Sequence, residues 1–178
     1  MRFLMIFLLA LSIPHLTCAQ ETAAKKQTPK EEKPTFENLV TGLSEPDQLE
    51  ILHIKDAFSM ILTMEMVRKD VENAINACGQ HNPHLKQTFD DGYFQWIQSV
   101  TPAVADLSTA ITFKIDDQRL VDPDRIRDYL AVLQKDGAVY EKKIKKNPIQ
   151  DEKACLKLYE GLPKTAETLV HNLHKLKP

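Results

Sequence analysis

The sequence predicts an all-α protein: an antiparallel up-down four-helix bundle of long, proline-kinked helices with one disulfide. Three observations carry this expectation. Four prolines follow capping residues at helix-length intervals, apolar residues recur at steps of three and four between them, and Cys78 and Cys155 fall where that topology brings two helix ends together.

The first segment opens at Ser44-Glu45-Pro46. Proline tolerates the first helical turn because its missing N–H has no intrahelical acceptor there, and Ser, Asn or Asp accepts a bond from one of the orphan donors. Ile51, Ile54, Phe58, Ile61, Met64, Val67, Val71, Ala74 and Cys78 then form one helical stripe. Asn82-Pro83 announces the second segment, with Leu85, Phe89, Tyr93, Trp96, Val100, Val104, Leu107 and Ile111 on its seam. Asp122-Pro123 opens the third, where Ile126, Leu130, Leu133, Gly137, Tyr140 and Ile144 follow the same period. Asn147-Pro148 opens the fourth, with Cys155, Tyr159, Leu162, Ala166, Leu169, Leu173 and Leu176. Pro102 and Pro163 fall inside the second and fourth segments and predict kinks, or breaks into shorter helices. Strand alternation with hairpin turns is absent.

Ahead of the bundle, residues 1–19 have the form of a secretory signal peptide. Arg2 precedes an apolar run over residues 3–13, too short to cross a bilayer, and Thr17-Cys18-Ala19 supplies small residues for cleavage. A rival reading makes Cys18 a lipid acceptor, against which stands Thr17 where a smaller residue is usual. Residues 20–43 are expected as a flexible tether, rich in Lys, Glu, Gln and Thr through their first half. Residues 44–178 form the bundle domain. Export to a secreted or periplasmic location follows, with no further transmembrane segment in the mature chain. Taking Arg2 from the 23 basic residues leaves 22 against 25 acidic ones, a formal charge of −3, so polyanion binding cannot rest on net charge. An oxidising compartment favours a bond between Cys78 and Cys155, and no Cys-x-x-Cys motif suggests a redox role.

No nucleophile elbow, zinc-protease motif or phosphate-cradling glycine loop occurs, which points away from an enzyme. The neighbouring acids Asp90-Asp91 and Asp116-Asp117 do not share a helical face and read as helix-end solvation. The strongest local signal is basic. Lys142, Lys143, Lys145 and Lys146 precede Asn147-Pro148, and Lys153 and Lys157 follow. An up-down topology adds the starts of the second and fourth helices, with Arg68, Lys69, His81, His84 and Lys86, at the same end. These groups suit an anionic partner such as a phosphoinositide headgroup. Glu141, Asp70, Glu72, Asp151 and Glu152 dilute the field, and lysines at a helix C-terminus also complement its dipole.

Two other functions compete with that expectation. His53 with His171 or His174, aided by Met60, Met64 or Met66, suggests a haem- or metal-binding bundle. Phe94, off the seam defined by Tyr93 and Trp96, suggests a protein-binding adaptor or chaperone. Basic and aromatic residues are not interleaved in the manner of nucleic-acid binders. The expectation taken forward is a non-enzymatic secreted or periplasmic binding protein, with a host-facing effector role if it leaves the cell envelope, requiring no cofactor and no metal.

Overall fold

The computed structural model describes residues 33–144 and 149–178. The leader with Cys18, residues 20–32 of the expected tether, and Lys145 and Lys146 with the Asn147-Pro148 start signal lie outside the described residues.

The described chain is all-helical, without a strand among its residues. Its helices are α1 (Phe36–Val40), α2 (Glu45–His81), α3 (Lys86–Asp117), α4 (Pro123–Glu141) and α5 (Glu152–Lys175), with a 3-10 turn (Pro83–Leu85) between α2 and α3. The helix α2, at 37 residues, is about 55 Å long at 1.5 Å per residue.

Residues 20–43, expected as a flexible tether, include the short helix α1. Thr35 Oγ1 accepts from the Asn38 N–H at 3.2 Å and starts the helix. Phe36, Leu39 and Val40, at three- and four-residue spacing, give this short helix an apolar face; Leu39 and Val40 are buried in the core. Five residues are too few for an isolated helix, so tertiary contact stabilises it. The Phe36 ring lies 6.0 Å from that of Tyr129 on α4, and Arg125 donates to the Asn38 carbonyl at 2.8 Å. Gly42, at φ +85, turns the chain into α2 through backbone geometry that disfavours other residues.

Ser44 and Asp122 occupy the N-cap positions of α2 and α4 as their sequences announce. The Asp122 carboxylate accepts from the Asp124 N–H at 2.9 Å, whereas the Ser44 hydroxyl donates to the Asp47 carboxylate at 2.7 Å. Asn82-Pro83 opens the 3-10 turn, so α3 proper begins three residues later. Helix α5 starts at Glu152, later than the expected signal, and Asp151 caps it by accepting from the Ala154 N–H at 3.1 Å. Pro102 and Pro163 sit at exposed positions inside α3 and α5 without ending either helix.

Helix α3 packs chiefly on α2 and α5, while α4 touches α1, α2 and α3. Near the junction of α2 and α3, Gly79 lies against Lys86; at their other ends, Lys114 Nζ meets Glu50 Oε1 at 2.9 Å. A Cβ on Gly92 of α3 would come within 2.5 Å of the Tyr159 ring on α5, so the missing side chain permits the close approach of these helices. The seams of α2, α3 and α5 enter one core that includes Ile54, Phe89, Leu107 and Leu173.

The seam expected for α4 holds only in its first part. Ile126 and Leu130 are buried and Leu133 packs against the core, but Tyr140 is 65% exposed and Ile144 is 43% exposed. Periodicity places these residues around the helix axis; it cannot report where the neighbouring helix surface stops covering them.

Candidate functional site

The disulfide is built by the ends of α2 and α5. Cys78 and Cys155 are wholly buried and bonded, with Cα atoms 5.6 Å apart, as the sequence predicts. Buried Asn82 reinforces the junction: its side-chain amide donates to the Cys78 carbonyl at 3.1 Å and to the Gln150 carbonyl at 3.3 Å.

Lys153 and Lys157 are exposed on the first turns of α5, flanking Cys155 in sequence. Lys142 and Lys143 are exposed at the end of α4. Glu141 accepts from Lys69 Nζ at 3.4 Å, which sets the end of α4 beside α2 at the level of Lys69. Lys69 precedes Cys78 by about 14 Å of helix rise, so the two lysine pairs meet α2 at different levels instead of sharing one point. Lys145 and Lys146 lie outside the described residues.

Much of the remaining charge around these lysines is locally paired. Arg68 meets Glu72 at 3.5 Å, Lys33 meets Asp136 at 2.8 Å, and His84 Nε2 lies 3.5 Å from Glu152 Oε2. Lys86 pairs with Asp90. Lys142, Lys143, Lys153 and Lys157 have no ion-pair partner among the described residues. The sequence also suggests open helix N-termini as phosphate donors. At α5, however, the Asp151 carboxylate already occupies the Ala154 N–H, leaving the lysine ammonium groups as the more accessible donors.

The histidines of the haem or metal alternative are separated. His53 lines a hollow of about 240 Å³ with Glu50 and Lys114, whereas His171 and His174 line a cleft of about 670 Å³ between α3 and α5. Among the described residues no group of three or more His, Cys, Asp or Glu side chains is arranged to hold a metal. Met64 is buried in the core, where a thioether fills apolar space. Phe94 is 60% exposed and borders a hollow of about 400 Å³ with Ile97 and the paired acids Glu72 and Asp90.

Trp96 is 2% exposed and its Nε1–H has no hydrogen-bond partner among the described residues. Its ring stacks on that of Tyr93, with centroids 6.2 Å apart. Burial, then the Glu72 carboxylate, raises the Tyr93 phenol above its ordinary pKa; Arg68 opposes the shift. Burial is likewise the leading cause of the raised Tyr129 pKa, with Lys55 opposing it and Glu37 and Asp56 adding to it. Both shifts favour the neutral phenol in the folded chain. Their stabilising contribution is fully present below the unfolded tyrosine pKa near 10 and is lost as pH rises through the higher folded values. Urea midpoints measured from neutral to alkaline pH are therefore expected to fall less steeply in Tyr93→Phe and Tyr129→Phe than in the parent. Parallel pH profiles in all three proteins count against this linkage.

The chain matches no protein-family model, no curated protein and no solved structure. The described fold defines an all-α, disulfide-bonded protein class. No helix among the described residues is long and apolar enough to cross a membrane.

Proposed function

We propose that this is a non-enzymatic secreted or periplasmic binding protein. It engages an anionic partner, best represented by a phosphoinositide headgroup, through Lys142, Lys143, Lys145, Lys146, Lys153 and Lys157. Helices α2 to α5 form its antiparallel up-down four-helix framework. In a secreted chain the same chemistry fits a host-facing effector that acts at an anionic membrane.

The observation supporting this reading is the difference between the lysines and their surroundings. Lys142, Lys143, Lys153 and Lys157 remain exposed without ion pairs among the described residues, while Arg68, Lys69 and Lys86 are tied to carboxylates. A cation already held by a carboxylate gains less on meeting a headgroup, because an existing interaction must be displaced.

Vesicle sedimentation tests the reading. Phosphatidylcholine vesicles containing phosphatidylinositol bisphosphate are expected to bind the protein, with affinity falling as salt rises. Replacing Lys142, Lys143, Lys145 and Lys146 by glutamate should weaken binding by about three orders of magnitude, using ~1 kcal/mol for each lysine near a charged surface. Equal binding by the parent and the fourfold variant contradicts the proposal.

A further inference from the structure

Val139, Tyr140 and Ile144 are 53%, 65% and 43% exposed, and they fall within six residues of one another at the end of α4. Leu49, Phe94 and Phe113 are the other large apolar residues exposed among the described residues, each on a different stretch of helix. Sequence periodicity assigns Tyr140 and Ile144 to the core and does not single out Val139. The structure instead leaves all three beside exposed Lys142 and Lys143.

This combination differs from a cationic surface alone. Past Glu141 the chain continues as a turn closed by Lys143 N–H to the Tyr140 carbonyl at 2.9 Å. Glu141 is drawn towards Lys69 on α2, and Asp136 is occupied by Lys33. The neighbouring carboxylates are therefore engaged by cations while Lys142 and Lys143 remain exposed. Long lysine stems can extend their ammonium groups to lipid phosphates while adjacent apolar side chains lie deeper in the interface. A soluble phosphate compound presents the anion but no acyl layer for Val139, Tyr140 and Ile144.

We infer that the end of α4 is a membrane-inserting surface: Val139, Tyr140 and Ile144 enter the interfacial layer of an anionic bilayer while Lys142 and Lys143 hold its headgroups. This deepens and rests on the anionic-partner reading above. The occupant is the bilayer surface, with both its charged headgroups and its acyl boundary contributing. Attachment by this surface combines salt-sensitive attraction with a salt-resistant apolar component, so high salt weakens it without abolishing it.

The test compares the disulfide-bonded parent with the triple variant Val139→Ser, Tyr140→Ser and Ile144→Ser, and with the lysine variant Lys142→Glu, Lys143→Glu. Each is titrated with phosphatidylinositol bisphosphate vesicles and, separately, with inositol hexakisphosphate as a soluble anion. The serine variant should bind vesicles at least about tenfold more weakly while retaining parent-like affinity for the soluble anion. Equal vesicle binding by the parent and serine variant overturns insertion, while a concurrent loss in the lysine variant preserves the headgroup reading. Parent-like binding of both probes by the lysine variant overturns both proposals. As a second readout, Tyr140→Trp should acquire an emission component that shifts to the blue on vesicles and is quenched by brominated acyl chains. Vesicle binding without either change also overturns insertion.

Discussion

Replacing Cys78 and Cys155 together by alanine is expected to lower the unfolding free energy by about 4.5 kcal/mol at 25 °C. The bond joins positions 77 residues apart, and the chain-entropy relation gives that magnitude for a loop of this length. A loss of this size corresponds to a fall of roughly 10–20 °C in Tm. Trp96, the single tryptophan and a buried one, provides a fluorescence signal for the transition. In urea the midpoint should fall while the slope rises, because the uncrosslinked denatured chain expands further. An unchanged midpoint contradicts a substantial stabilising role for the bond.

Phe89→Ala is expected to cost about 3–5 kcal/mol, the range for removing a large buried aromatic side chain. Phe89 is fully buried on α3, and its ring lies 6.3 Å from that of Tyr159 on α5. Truncation therefore removes apolar contacts and leaves space in a seam that Gly92 holds close by admitting the Tyr159 ring. Phe113→Ala is the internal control. It removes the same side chain from the same helix at a position 70% exposed, and should change stability by no more than about 0.5 kcal/mol. Equal losses in urea unfolding contradict the assignment of Phe89 to the load on that seam.

Most helix identities are legible because they rest on local rules. Ser44 and Asp122 mark two N-caps, and the stripes of α2, α3 and α5 are set by side-chain period. The contact between Cys78 and Cys155 follows once helix order and cysteine position are considered together. Residues 33–43 are less legible because the small apolar set Phe36, Leu39 and Val40 becomes helical against α4, through contacts remote in sequence. Gln118 is another such case. Buried in the turn after α3, its amide donates to the Ile115 and Val121 carbonyls while its oxygen accepts from the Leu120 and Val121 N–H groups. A glutamine in a polar sequence stretch gives no local indication that it will satisfy an entire turn.

The candidate site divides along the same physical boundary. Lysine density is visible in sequence, and local helix geometry places Lys153 and Lys157 on successive turns beside Cys155. Nearby acids are visible in sequence, as is the i,i+4 pair Lys86–Asp90, but the pairing of Lys69 with Glu141 between α2 and α4 is not. The exposure of Tyr140 and Ile144 is hidden from periodicity for a related reason: an apolar residue is buried only if another surface reaches it. The separation of His53 from His171 and His174 likewise depends on which hollows the assembled helices form.

Amide hydrogen exchange of the disulfide-bonded protein, with and without phosphatidylinositol bisphosphate vesicles, tests the central functional claim most directly. Peptides covering residues 139–144 and 149–157 should gain protection on vesicle binding, while those covering the His53 hollow and the α3/α5 cleft should not. Vesicle binding that protects only those other regions, or leaves both lysine-bearing segments unchanged, contradicts the account.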